Sequence, residues 1–221
     1  MPPITELCHL YPKEGADIEA IWADIAKVVL PQPGVKSVYT SAVIEEDNPL
    51  KYVFVDWDSV ESHEAFKKTE VYEPLVKRLN ENLTTPPFLH NVELFPTHPA
   101  VLHNERGKSA VVELVKLFFP AGDAYTSNQM ASVAKNVRDF IDLMPGHAAG
   151  YSGEAAGGWA IHEVDFKGEK TRVFVIAIGW ETVQAHLDYR ETDHFKANVT
   201  MLTTLDNMKG TELAHIKTKE W

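Results

Sequence analysis

Trp57-Asp58-Ser59-Val60-Glu61-Ser62-His63 returns 123 residues later as Trp180-Glu181-Thr182-Val183-Gln184-Ala185-His186. The match continues to Phe66 and Tyr72 in the first copy and to Tyr189 and Phe195 in the second. An apolar run precedes each copy, Tyr52-Val53-Phe54-Val55 and Val173-Phe174-Val175-Ile176. An apolar run, then a hydroxyl residue, then apolar residues at helical spacing reads as a strand passing into a capped helix. Occurring twice in order, it predicts one supersecondary unit used twice.

Working outward from the first copy, residues 5–11 read as a strand broken by Pro12-Lys13-Glu14-Gly15. Ile18, Ile21, Trp22, Ile25, Val28 and Val29 then follow helical spacing. After Pro33-Gly34, Val35 to Ile44 and Tyr52 to Trp57 read as strands. Ser59 caps the next helix, which is expected to stop or bend before Pro74 with a further helical piece to Asn82, and Phe88 to Phe95 closes the half as a strand. From Ala110 the order begins again: strand to Phe119, helix 127–143, an extended glycine-interrupted region, strand 172–180, helical residues 182–205 and strand 212–218. Residues 96–109, rich in turn formers, read as a linker, which predicts repeats at 1–95 and 110–221. Matching Pro145-Gly146 to Pro33-Gly34 gives an offset of 112, so eleven extra residues are expected before Trp180. They include Glu154-Ala155-Ala156-Gly157-Gly158-Trp159, expected as a longer hairpin or a lid.

A βαββαβ unit packs two helices on one face of an antiparallel sheet and leaves the other face bare. A sister unit with the same bare face is its natural cover. The fold expected is therefore α+β: two tandem ferredoxin-like units packed sheet to sheet. One chain would then suffice for the barrel, with a homodimer through helix faces or strand edges left open.

The pattern strand–Trp–x–Ser/Thr–x–x–x–His–x–x–aromatic, with Pro-Gly before the second strand, resembles the antibiotic biosynthesis monooxygenase-like group of the dimeric α+β barrel superfamily. The resemblance covers both halves, from about residue 5 to residue 218. It implies an intramolecular dimeric α+β barrel. It also implies a choice among cofactor-free oxygenases, haem-degrading enzymes, polyketide cyclases, decarboxylases and members without chemistry. Haem degradation in the group uses a first-strand Asn, and neither first strand offers one.

Composition narrows the partners. A net charge of −11 over 221 residues argues against nucleic acid and anionic membranes as partners. No apolar stretch reaches the roughly 18 residues that span a bilayer, and the N-terminus lacks a signal-peptide pattern, so a cytoplasmic protein is expected. Cys8 is the only cysteine and reads as a buried small hydrophobe. His98 and His103 are expected to be solvated in the linker. No metal-ligand spacing, dinucleotide fingerprint, phosphate loop or nucleophile elbow occurs, so neither metal nor cofactor is expected.

The candidate chemistry is histidine general-base catalysis on a small apolar aromatic or polyketide-like molecule. His63 and His186 fall early in their helices, where the helix N-terminus favours neutral imidazole. His90 and His215 lie in the closing strands, with the direction they face left open by the alternation. His147 follows Pro145-Gly146 at the place of Val35 and breaks the symmetry. His186, His147, His63 and His90 are thus the candidate bases. Trp180, Trp57, Tyr151, Tyr189 and Phe66 are the candidate pocket wall; Tyr151 is matched to Tyr39, and Gly179 would leave room beside Trp180. Against this stands a structural role: a scaffold must appear twice in a pseudo-symmetric fold, which is why paired Trp and His residues also suit a non-catalytic binding or stress-related module.

Overall fold

The computed structural model describes residues 2–103 and 107–221; part of the 96–109 segment, residues 104–106, lies outside them. The first half runs β1 (Ile4–Leu10), α1 (Ile18–Val29), β2 (Val35–Val43), β3 (Lys51–Trp57), α2 (Val60–Phe66), α3 (Tyr72–Glu81) and β4 (Phe88–Phe95). The second runs β5 (Val111–Pro120), α4 (Ser127–Asp142), β6 (Tyr151–Ala160), β7 (Val164–Phe166), β8 (Glu169–Trp180), α5 (Val183–Glu191), α6 (Asp193–Asn198), α7 (Thr200–Thr203) and β9 (Gly210–Glu220). Ser59 and Thr182 accept the third-turn-position N–H groups of Ser62 and Ala185, the capping expected of a hydroxyl residue before each helix. Pro74 sits in the first turn of α3, where its missing N–H costs nothing, and the helix breaks before it, as expected.

Within the first half the strands lie in the order β4-β1-β3-β2, and the second repeats it as β9-β5-β8-β6, all antiparallel. The edges then pair across halves. β4 joins β6 and β2 joins β9, so eight strands close a barrel, with β7 as a short addition beside β8. The fold is the expected α+β tandem, its two sheets united through hydrogen-bonded seams.

Strand alternation sorts the side chains into three cores. Leu7, Tyr39, Phe54, Val112, Leu114 and Ile216 point into the barrel. The residues that alternate with them along each strand point outward, under the helices. Trp22, Val55 and Trp57 fill the first outer core, and Phe140, Ile176 and Trp180 the second. Trp57 and Trp180 are 0% and 1% exposed. The segment between β4 and β5 contributes Val101 and Leu102 to the barrel core.

Two expectations change. The Asp58 N–H donates to the Gly34 carbonyl at 2.7 Å, and the Glu181 N–H donates to the Gly150 carbonyl at 2.8 Å. Gly34 therefore corresponds to Gly150, an offset of 116, and seven residues rather than eleven are inserted before Trp180. Val35 and Tyr151 pair with Trp57 and Trp180 respectively, so Tyr151 takes the place of Val35 and not of Tyr39. The Glu154–Trp159 stretch is also no lid. It is the body of β6, and Gly158 lies so close to β4 that a Cβ there would meet the Glu93 carbonyl oxygen at 1.9 Å.

Gly34 and Gly150 both have positive φ, and an added Cβ would meet Ser62 Cβ at 2.4 Å or Ala185 Cβ at 2.6 Å. Gly15 has positive φ but open space. Gly34→Ala and Gly150→Ala should each cost about 2–4 kcal/mol, combining backbone strain with overpacking, whereas Gly15→Ala should cost about 1 kcal/mol. Urea denaturation of the three variants measures this; equal losses would show that the close approach to the second helix is unimportant.

Candidate active site

Each half holds a cavity between its helices and the outer face of its sheet. The first-half cavity, about 220 Å³, is lined by Glu6, Cys8, Trp57, His63, Phe66 and Tyr72 among others. The second-half cavity, about 250 Å³, is lined by Glu113, Phe140, Trp180, His186, Tyr189 and Arg190 among others. The lining is mostly apolar, as in small-molecule sites, and the polar groups converge on one carboxylate in each.

That carboxylate is the residue the sequence reading passed over. The Trp57 indole N–H donates to Glu6 Oε2 at 3.1 Å, and His63 Nε2 lies 3.4 Å from the same oxygen. In the second half the Trp180 indole N–H donates to Glu113 Oε2 at 3.1 Å, and His186 Nε2 lies 3.4 Å from Glu113 Oε1. Trp57 and His63 stack at 5.1 Å, and Trp180 and His186 tilt together at 5.2 Å. The repeated Trp and His are thus two thirds of a Glu–Trp–His triad. The third member comes from the first strand of each half. A lone Glu inside an otherwise apolar run, Val111-Val112-Glu113-Leu114-Val115, was the available signal.

The electrostatics differ from those of a surface ion pair. Burial pushes the Glu113 carboxyl up to about 7, against the opposing effects of the Trp180 hydrogen bond and the Arg190 charge. Burial lowers His186 to about 4, helped by His215 and Arg190. Near neutral pH the pair is therefore a carboxyl group close to half-protonated beside a neutral imidazole. Glu113, not His186, is the stronger base. A group poised near the working pH is what general acid–base chemistry requires.

The remaining candidates are divided. Trp180, His186 and Tyr189 share the second cavity; Trp57, His63 and Phe66 share the first. Tyr151 packs edge-on against Trp180, with ring centroids 6.1 Å apart, as a neighbour behind the cavity wall. His147 is exposed and stacks on His194 at 4.0 Å, outside the cavity, because the Pro145-Gly146 match was out of place. His90 points into the barrel, 5.4 Å from His9, and neither of its ring nitrogens has a hydrogen-bond partner among the described residues. Burial, with the Lys116 charge, pulls it down to about 3, so it is a neutral histidine on the barrel-interior face, opposite the face that carries Glu6. Asn91, its neighbour, faces the helices instead: its Oδ1 lies 3.1 Å from His63 Nδ1. His215 occupies the equivalent place in the second half, with Nε2 2.7 Å from His186 Nδ1.

The structure bears on three other expectations. Cys8 is buried, and burial raises its thiol well above the usual range, which suits a packing role. The room beside Gly179 is filled by the hydroxyls of Ser109 and Ser152, on the side of the strand away from the Trp180 ring. His103 is not solvated: it is 7% exposed, with both ring nitrogens within 2.9 Å of the Tyr39 hydroxyl. His98 is half-buried, 3.6 Å from Asp56. Among the described residues no group of three or more His, Cys, Asp or Glu could hold a metal ion, and no helix is long and apolar enough to cross a membrane.

Solved structures share this fold over the whole chain. A candidate monooxygenase from Lactobacillus acidophilus NCFM matches 100% of this chain and 96% of its own at 11% identity, with a TM-score of 0.61. One from Fusobacterium nucleatum matches 99% and 94% at 12% identity and a TM-score of 0.61. An anthrone oxidase-like protein matches 100% and 94% at 15% identity and a TM-score of 0.68. No protein-family model and no curated protein matches the sequence. The likeness is one of fold: two βαββαβ units in tandem closed into one barrel.

The Glu113 value implies a measurable linkage. A folded value of about 7 exceeds the ordinary 4.5, so the native state binds this proton more tightly than the unfolded chain. That contribution is present at low pH and is lost as pH rises through 7. His186 runs the other way between about 4 and its ordinary 6.5, where stability rises with pH. Glu113→Gln removes only the first effect. Relative to the wild type it should gain stability on going from pH 5 to pH 8, by on the order of 2–3 kcal/mol. Urea unfolding at the two pH values reads the difference, and a pH-independent difference would mean an ordinary carboxyl.

Proposed function

We propose that the second-half cavity is the active site of a cofactor-independent oxygenase-type enzyme acting on a small, apolar, aromatic or polyketide-like molecule. The observation that carries this is the Glu113–Trp180–His186 constellation: a buried carboxyl near 7 opening on an apolar cavity, held by an indole N–H and an imidazole. Glu113 as carboxylate takes a proton from a phenol or an activated methylene of the substrate. Phe140, Trp180 and Tyr189 offer apolar faces to an aromatic ring. His186 supports the base through its Nε2. The resulting anion is electron-rich enough to be oxidised by dioxygen, the co-substrate this reading requires. One structural neighbour is named an anthrone oxidase-like protein, which agrees with such a substrate class. In this reading residues 1–95 and 110–221 are fused repeats joined through 96–109, one chain supplies the whole barrel, and the protein works in the cytoplasm.

A second reading, a non-catalytic small-molecule-binding or stress-related module, draws on one observation. Cavities of 220 and 250 Å³ fall below the roughly 300 Å³ at which drug-sized ligand sites begin. The two readings separate on turnover. With anthrone-like and hydroquinone-like compounds, an oxygen electrode should record uptake that Glu113→Gln lowers about 100-fold or more. Trp180→Phe removes a hydrogen bond that holds Glu113 down, so the basic group in its kcat/KM profile should titrate above the wild-type value. Tight binding without oxygen uptake or product across the panel would favour the module.

A further inference from the structure

The two triads are near copies, but what lies behind them is not. In the first half His63 Nδ1 meets Asn91 Oδ1, an amide oxygen that accepts a hydrogen bond and passes no proton onward. In the second, His186 Nδ1 meets His215 Nε2 at 2.7 Å, and His215 Nδ1 meets Glu45 Oε1 at 2.7 Å. Glu45 belongs to the other half of the chain. Its side chain is 41% exposed, while those of His186 and His215 are 4% and 5% exposed. The contact is held in register: the Ile44 N–H donates to the His215 carbonyl at 2.8 Å, and the His215 N–H donates to Glu45 Oε1 at 2.9 Å. The matching seam in the first half has the Ile161 N–H on the Asn91 carbonyl at 2.9 Å, which puts exposed His162 where Glu45 stands. Both extra links, His215 and Glu45, are therefore replaced in the first half, by Asn91 and His162.

We propose that Glu113, His186, His215 and Glu45 form a proton relay that connects the second-half cavity to solvent across the β2–β9 seam, and that the first-half cavity has no such exit. The proposal deepens the functional reading above and rests on it for its kinetic consequences. Glu113 and His186 would be the groups in the cavity; His215 and Glu45 are positioning and relay residues acting through them.

The donors and acceptors can be matched along the whole chain in two ways. In one, protonated Glu113 faces unprotonated His186 Nε2 across a 3.4 Å approach that must shorten for transfer, His186 Nδ1–H donates to His215 Nε2, and His215 Nδ1–H donates to the Glu45 carboxylate. In the other, each of those three protons has moved one step, leaving Glu113 ionised and Glu45 protonated with both imidazoles in the opposite tautomer. The passage between them carries one proton from cavity to surface, no atom is gained or lost, and Glu45 then releases the proton to water. Burial acts to raise Glu45, but the backbone and ring N–H groups of His215 outweigh it and hold Glu45 below the ordinary carboxylate value, which favours release of the proton to water. The charged and titratable neighbours of the buried links are Arg190 beside Glu113 and His186, and Glu45 beside His215.

Two experiments test this. The first needs no substrate: ring ¹⁵N shifts of His186 and His215 are followed against pH. Because the links are coupled, the His215 ring shifts should follow the titration of Glu113 and lose that step in Glu113→Gln; His215 shifts that ignore Glu113→Gln overturn the relay. The second is kinetic. His215→Asn, the residue the first half already tolerates, and Glu45→Gln, at an exposed position, should each lower kcat about tenfold or more with KM within about twofold. Glu45→Asp should recover most of the loss, and Glu46→Gln, on the exposed neighbour, should behave as wild type. Wild-type turnover and pH profile in both His215→Asn and Glu45→Gln overturn the relay while leaving the oxygenase reading standing. NMR coupling without oxygen uptake on any compound supports the relay as a proton-linked site and overturns the oxygenase reading alone.

Discussion

The structure depends on closing its sheet edges. Each half is a four-stranded sheet with two free edges, β2 and β4 in one and β6 and β9 in the other. An open edge presents unpaired N–H and C=O groups that must find partners. Here every such edge finds one inside the same chain, at the β2–β9 and β4–β6 seams. Closure also buries the faces that carry no helices, so that Leu7, Phe54, Val112 and Ile216 share one buried interior. Hydrogen bonding and apolar burial thus demand the same arrangement, a consistency that specifies one fold over its competitors. Gly158 shows how tight the seam is, since any side chain there would strike the β4 backbone.

Closure determines where chemistry can be built. With side chains packed into the barrel interior, the two matching cavities of the halves lie on the outer faces, under the helices. A strand sends alternate residues there, and in β1 and β5 one of those residues is a glutamate. Burying a carboxyl in such a place is costly unless it is neutralised or hydrogen-bonded. Glu113 is both: it receives the Trp180 indole N–H, and its proton is held to about pH 7. The indole and imidazole that occur twice in the sequence are in this light carboxyl-holding groups first and cavity walls second.

Much of this was legible beforehand. The period of 3.6 in Ile18 to Val29 and of 2 in the strands marked the elements, and the duplicated Trp-to-His stretch marked the tandem. The errors were of register and of direction. Pro-Gly dipeptides stand near both β2 and β6, but the glycine that matters is the one beneath the second helix, Gly34 or Gly150, and only the hydrogen bonds to Asp58 and Glu181 reveal which it is. That four-residue slip made His147 look like the odd residue in a pocket. Alternation assigns neighbours to opposite faces but does not say which face is which, so His90 and Asn91 could not be told apart as interior and cavity-side residues. Glu113 was hidden because a single carboxylate in an apolar strand carries no spacing signal; its partners come from a strand and a helix more than sixty residues away.

Fusion of two repeats changes what symmetry permits. When a barrel of this kind forms from two identical chains, a substitution at a seam appears at both seams. In one chain the seams are free to differ, and these do: His215 with Glu45 on one side, Asn91 with His162 on the other. Scaffold positions have not diverged in this way. The glutamate, tryptophan and helix histidine are kept in both halves, as are the capping hydroxyl residue and the glycine under the helix. Retention in both halves accompanies positions that packing requires; difference accompanies positions whose replacement leaves packing intact. Asn and His at the closing strand both satisfy the neighbouring imidazole, so stability does not select between them, whereas the ability to carry a proton does. The asymmetry behind the triads, more than the triads themselves, is therefore where the two halves stop being equivalent as chemistry while remaining equivalent as structure.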